Sequence, residues 1–339
     1  MKKQHSNTRL LCQLSAVAAL VLSGNAMADE AFSADSKWMT GDWGGERTKL
    51  IEQGIDIKAD YVGEMGANLH GGYNDDKTGR YSDQFGLGVA FDLQKLLGWD
   101  NTQAKIQLTN RNGQNISNDR IGDPRAGTLS SSQEVYGRGH MVRLTQLWVQ
   151  HQFLDGKLDV KAGYFGEGED FNTFPCDFQN LAFCGSQVGN WATGIWYNWP
   201  VSQAALRIKY NITPELYAQI GAYNQNPSQL EHGNGFKLSG SGTKGTVLPV
   251  ELVWSPKLNS LPGEYRVGYY KSTADANDVR KDVNGQDAAN TGDAYRVHNS
   301  KHGYWFVGQQ QLTTHNGDAS RGLNIAANAT FHDKDTNVV

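Results

Sequence analysis

The charged residues of this chain occupy a regular place. Lys58, Asp60 and Glu64 alternate with Ile57, Ala59, Tyr61 and Met65. Lys105 and Arg111 share a face with Gln107 and Thr109, opposite Ala104, Ile106 and Leu108. Arg207 and Lys209 stand opposite Leu206, Ile208 and Tyr210, and Glu251 lies within GTVLPVELVW. Donors and acceptors of both signs, two residues apart on otherwise apolar segments, can exchange hydrogen bonds with a polar solute passing along them. Nothing in their spacing suits bond-breaking chemistry. Nine histidines occur without a G-x-S-x-G or H-E-x-x-H context, and His140 and His151 have no reactive neighbours.

The elements that carry these residues read as long strands. From Ile55 to Leu69 apolar and polar residues alternate strictly, the period-two signature of a half-buried strand. The run is much longer than the roughly five or six residues usual in soluble proteins. A strand that is oily on one face and charged on the other suits a tilted bilayer crossing around a water-filled lumen. Similar runs recur in QFGLGVAFDLQ, TQAKIQLTNRNG, KLDVKAGYF, QAALRIKYN, LYAQIGAYNQ, GTVLPVELVW, EYRVGYYKS, GYWFVGQQQL and RGLNIAANATFH. MVRLTQLWVQHQF completes the set, with a facing that the pattern leaves ambiguous. The count is about eleven strands by this pattern reading. Connections near residues 70–82, 112–140, 166–200, 225–245 and 272–302 are long and polar. Those near 94–101, 155–157, 212–215, 255–263 and 312–320 are short. Long loops on one side and short turns on the other are the topology of an outer-membrane barrel.

Composition agrees. The hydrophobic fraction is 38% and mean hydropathy is −0.56, as expected when only alternate strand residues meet lipid. A net charge of −4 gives no basic field for nucleic acid. Residues 1–28 read as a secretory signal peptide, with Lys2, Lys3 and Arg9 before LSAVAALVLSG and cleavage after Ala28. Residues 29–53 read as a short helical segment, GERTKLIEQ with Gly54 as its stop. Residues 54–339 would form the β-barrel. Cys176 and Cys184, in an exported chain, point to a disulfide. Free thiols or a metal pair are the alternatives, although no histidine stands at ligand spacing.

GDWGGERTKLIEQGIDI, the strand that follows it, LTQLWVQHQF, VKAGYF with EDF, and IGAYNQNP resemble the carbohydrate-selective porin family of OprB type. The resemblance covers essentially the whole mature chain. It implies an all-β transmembrane antiparallel barrel of sixteen strands with a short periplasmic helix in front. It also implies passive uptake of glucose-like monosaccharides across the outer membrane of a Gram-negative bacterium. The expected partners are such sugars and outer-membrane lipid, with monomer and homotrimer both open and no cofactor or metal. About eleven strands, and an ending in HDKDTNVV rather than an aromatic strand, are expected of a C-terminally incomplete copy. In porins generally the third long loop folds inward, which implies that Gly166 to Pro200, pinned by Cys176 and Cys184, narrows this pore.

A sugar is neutral, rich in hydroxyls and apolar on its ring face. Charged groups would exchange hydrogen bonds with it and aromatics would stack on it, weakly enough for release. The candidate path is Lys58, Asp60, Glu64, Lys105, Arg111, Arg207, Lys209 and Glu251, with Tyr217 and Tyr223 for stacking. In the third loop the candidates are Glu167, Glu169 and Asp170, with Trp191, Trp196 and Trp199. Arg111 facing Glu64, with the disulfide loop opposite, is the expected constriction. The rivals are a general or anion-preferring porin, an outer-membrane hydrolase and a secreted soluble sugar-binding β-protein.

Overall fold

The structure is a computed structural model that describes residues 31–337, except 35, 127–129, 193 and 319. The expected leader and its cleavage point lie outside the described residues. The chain divides into two compact units, residues 1–57 and 58–339.

In the first unit a single 3-10 turn, Trp43–Gly45, leads into helix α1, Glu46–Glu52. The helix follows from a run of good formers, ERTKLIE, and stops where Gly54 takes a φ of 99°. Arg47 is buried with its guanidinium 4.6 Å from the Trp38 ring and 5.0 Å from the Trp43 ring. It donates to the Ile57 carbonyl at 3.0 Å, so a cation is held by two aromatic faces and a backbone acceptor. Strand β1, Ile55–Asn68, begins at the end of this unit.

The second unit carries β2, Thr78–Asp92, then helix α2, Leu93–Leu97, then β3, Thr102–Gly113. Strands β4, Met141–Phe153, and β5, Leu158–Phe165, follow, with helix α3, Val188–Trp191, in the next connection. Then come β6, Gln203–Asn211, β7, Leu216–Gln225, and β8, Gly245–Trp254. The chain continues with β9, Lys257–Leu258, β10, Leu261–Ser272, and β11, Ala276–Asp282. It finishes with helix α4, Ala288–Thr291, then β12, Tyr295–His298, β13, Lys301–Gln311, and β14, Asn324–His332. One sheet runs β1 to β8, then β10, β13 and β14, with the two-residue β9 beside β10. The eleven strands of that path are the eleven expected. Among the described residues no pairing joins β1 to β14.

The two faces sort as the alternation dictates. Tyr61, Met65, Leu69, Phe85, Leu206, Ile220, Val250, Tyr304 and Phe306 are exposed on one face. Glu64, Gln107, Arg111, Asp159, Lys161, Arg207, Glu251 and Arg266 are buried on the other. No helix among the described residues is long and apolar enough to cross a membrane.

Three local expectations change. The first long loop is shorter than expected, because β2 already begins at Thr78. Arg80 finds Asp119 at 2.6 Å and Tyr81 finds the Tyr61 hydroxyl at 2.5 Å, so alternate residues gain partners that override the turn chemistry of the segment. The polar loop after β10 holds its own hairpin, β11 with β12. The ambiguous facing of β4 comes from a bulge: Gln107 pairs with Gln146 but Leu108 pairs with Leu144, which leaves Thr145 as an extra residue. Residues 143–146 are consequently all buried, and the alternation changes phase there.

The apolar core of this unit lies on the charged face of the sheet. Phe165, Phe171, Val188, Ala192, Ile195 and Trp196 pack on Tyr223, Val247, Tyr270, Trp305 and Val307. Loop 166–202 therefore folds back over the inner face instead of projecting from the strand ends.

Candidate functional site

The inner face has room for long side chains because small residues oppose them. A Cβ at Gly86 would lie 2.4 Å from Asp60 Oδ1, so a larger residue there would push the Asp60 carboxylate aside. Lys58 and Asp60 are exposed, and Lys105 is half-buried in a field set by Glu169, Lys58, Lys161 and Asp60. Lys209 lies 5.3 Å from the Tyr217 ring.

The third long loop is bound to the wall by charge. Lys161 Nζ lies 2.6 Å from Asp170 and 3.8 Å from Glu169, and 4.1 Å above the Phe165 ring. Arg207 pairs with Asp159 at 2.5 Å and reaches Asp170 at 3.8 Å. Gln146 donates to Glu169 at 2.6 Å. Glu251, fully buried, accepts from the Asn172 amide at 2.9 Å, Gln219 at 2.8 Å, the Trp305 indole at 2.8 Å and Arg266 at 2.9 Å. Buried charges persist when paired and hydrogen-bonded like this. Burial pushes the Glu167 carboxyl up to about 8, against the pull of its hydrogen bond from the Tyr197 amide. Burial raises Glu169 to about 7, with Lys161 opposing.

The second long loop, residues 114–140, closes from the other side. Gln133 is fully buried, donates to Ser82 Oγ at 2.9 Å and accepts from the Ile116 amide at 2.8 Å. Loops two and three are laced together: Leu181 N donates to the Ser131 carbonyl at 2.9 Å, and Ser130 Oγ to Asn180 at 2.8 Å. Cys176 and Cys184 form a disulfide beside Glu134, so their sulfurs are not thiolate ligands for a metal.

Several expected roles shift. Arg111 and Glu64 act on each other's charge but make no direct ion pair among the described residues. Arg111 Nε donates to Gln84 at 2.8 Å and its Nη2 stands 4.0 Å from Glu134, while Glu64 accepts from the Val135 amide at 3.0 Å. The loop supplies nearer partners to both. Arg207 and Glu251 are engaged in docking the third loop. Trp196 and Tyr223 have no face left for a solute: each is almost fully buried in the aromatic core, Trp196 against Tyr270 and Trp305. Trp199 Nε1 donates to Gln84 at 2.9 Å, and Trp191 is half-buried. Sequence reasoning missed Arg266, Asn172, Gln133 and Glu134. Arg266 has a signal, its inward parity in EYRVGYYKS; Gln133 and Glu134 sit in aperiodic loop and have none.

A sheet of long antiparallel strands, apolar outside and charged inside, with a long loop folded over its inner face, is the wall of a porin-type channel. Residues 76–339 match the family model described as carbohydrate-selective porin, OprB family, and the chain belongs to that family. It is 65% identical over its whole length to Porin B of Pseudomonas aeruginosa, covering 75% of that protein. It is 44% identical to the putative porin QuiX of Acinetobacter baylyi, over 96% of this chain and 73% of that one. The high-pH structure of Pseudomonas putida OprB superposes with a TM-score of 0.90 at 68% identity, covering 91% of this chain and 74% of that one. The chain is accordingly a sugar-selective outer-membrane channel protein, of a family whose members are channels and not enzymes.

Proposed function

We propose that the channel passes neutral, glucose-like monosaccharides by passive diffusion from the outside to the periplasm. The supporting observation is the docked third loop: it sets Glu169 and Asp170 against Lys161 and Arg207, with Lys58 and Asp60 exposed and Lys105, Lys209 and Tyr217 part-exposed on the same sheet. Opposite charges across a wet gap exchange hydrogen bonds with hydroxyls at low net cost, which gives weak binding and ready release. In this reading Glu64, Arg111, Arg207 and Glu251 act by holding loops in place, and Glu167, Glu169, Asp170 and Trp191 belong to the constriction. The long loops face outward, residues 29–53 lie on the periplasmic side, and the leader is removed after Ala28.

Glucose should block the ion current of the protein in planar bilayers, and Lys105→Ala should raise the half-blocking concentration several-fold. A current insensitive to glucose would instead favour a general or anion-preferring porin. A homotrimer predicts a cross-linked species of three chains in mild detergent.

A further inference from the structure

On the outer face of the sheet a cavity of about 500 Å³ crosses β8, β10, β13 and β14. Small residues, Gly308, Ala327 and Ala329, make its floor, and Trp254, Tyr265 and Phe306 make its walls. The strand register puts all six on one face: Trp254 pairs with Tyr265, Tyr265 with Gly308, Gly308 with Ala327, and Phe306 with Ala329. Trp254 and Phe306 are exposed, whereas Arg266, the residue after Tyr265, is buried on the opposite face with Glu251. The cavity therefore opens to the membrane and not to the lumen.

Its walls are fixed before anything binds. The Trp254 and Tyr265 rings lie 5.6 Å apart, and the Tyr265 hydroxyl donates to Gln310 at 3.0 Å. Phe306 packs edge-on against Phe331 at 6.4 Å, and Phe331 stacks on Tyr304 at 4.8 Å. A hollow between held rings leaves its lining without dispersion partners until something fills it. Neighbouring strands stand about 4.8 Å apart, so four of them give a groove about 14 Å across. Its volume falls within the roughly 300–1,000 Å³ of built ligand sites.

Charge marks one end of the groove. Trp254 is the last residue of β8, at the short-turn end of the sheet. Trp and Tyr gather at the membrane–water boundary, so the headgroup level begins there. The turn after β8 carries Lys257, opposite Pro262, and the turn between β13 and β14 carries Arg321. Both are exposed, and neither makes an ion pair among the described residues. The acidic groups at this end are mostly engaged: Glu264 pairs with Arg266 at 2.9 Å, and Asp318 accepts from Ser320 at 2.7 Å. Glu215, exposed in the turn before β7, is the remaining opposing charge of these turns. The end of the groove is thus biased towards an anion.

We propose that this groove is a site for one anionic phospholipid of the leaflet at the short-turn end. An acyl chain lies across Gly308, Ala327 and Ala329, and the phosphate group sits at Lys257 and Arg321. The groove is continuous with the face that meets the bilayer, so the occupant enters sideways from the membrane. The site does not depend on the sugar reading, because no lumen residue takes part in it.

Native mass spectrometry of the detergent-solubilised full chain tests it, with phosphatidylglycerol and phosphatidylethanolamine of identical acyl chains as probes. The first phosphatidylglycerol should be retained at least fivefold more tightly than the first phosphatidylethanolamine, since each cation near an anionic headgroup contributes roughly fivefold. Lys257→Gln combined with Arg321→Gln, both at exposed turn positions, should bring the two lipids within about twofold of each other. Ala327→Leu, exposed and outward-facing, fills the floor and should weaken both lipids several-fold while glucose block of the ion current stays unchanged. Equal retention of the two lipids by the unaltered chain, retention indifferent to Ala327→Leu, or a dimer whose formation expels the lipid would overturn the proposal.

Discussion

Replacing Glu251 by alanine is the sharpest test of how the third loop is held. Glu251 is 1% exposed and accepts four hydrogen bonds, one charged, within 2.8–2.9 Å. The substitution orphans the buried Asn172 amide and Trp305 indole and leaves the Gln219 side-chain amide with the Asp170 carbonyl at 2.7 Å. It also leaves Arg266 with Glu264, at 2.9 Å, as its one paired carboxylate. Removing one partner of a buried ion pair costs about 3–5 kcal/mol, and each orphaned neutral donor about 1–3 kcal/mol. These costs do not add, because water from the lumen can enter once the loop moves and Arg266 keeps one carboxylate. The expected net loss is therefore about 3–5 kcal/mol, at roughly tenfold per 1.4 kcal/mol a hundredfold or greater rise in the undocked loop population. Amide hydrogen exchange in the folded state should show the Asn172 N–H deprotected by at least that hundredfold, and bilayer recordings should show higher, noisier conductance. Glu251→Gln keeps an acceptor for Asn172 and Trp305 but turns an amide donor towards Arg266, so it should fall between. Unchanged Asn172 exchange together with unchanged conductance in Glu251→Ala would refute the idea that this carboxylate anchors the loop.

Other outcomes follow from the same contacts. Glu167 and Glu169 hold protons in the folded loop at about 8 and about 7, above the ordinary 4.5 of a glutamate, so the folded state binds more protons than the unfolded chain between those values. Their contribution to loop stability is complete below about pH 4.5 and is lost as pH climbs towards 8; exchange protection of residues 166–172 should fall across that window, and Glu167→Gln should flatten the fall. Gly268→Ala would bring a Cβ within 2.1 Å of the fully buried Trp305 ring, at a cost of about 1–3 kcal/mol that thermal unfolding in detergent would register. Replacing Cys176 and Cys184 by serine reopens a short loop, worth about 2–3 kcal/mol by the chain-entropy account; cleavage between residues 177 and 183 by added protease should accelerate, while the sheet stays intact by circular dichroism.

Period-two alternation was enough to find the eleven strands of the sheet path and, for all but β4, to say which face meets lipid, because one misplaced residue would put charge into hydrocarbon. The order of long and short connections was legible for the same reason, since turn chemistry ends each run locally. Where alternation failed, at β4, the cause was a single extra residue, Thr145, whose position depends on the partner strand. The site was legible only in part. Inward parity identified Arg207 and Glu251 as lumen residues, yet their role in docking a loop rests on partners far away in sequence, Asp170 and Asn172 among them. Trp196 read as a free aromatic and lies sealed against Trp305. Arg111 was expected to face Glu64; the two still act on each other's charge, but loop residues without any period, Glu134 and Val135, supply their nearer loop contacts. The sequence by itself determined the strands, their facing and the family, because these follow from local pattern and near-neighbour chemistry. Only the tertiary structure decided which charges hold loops and which remain open to a solute, because that choice is made between groups brought together by the folding of the loops over the sheet.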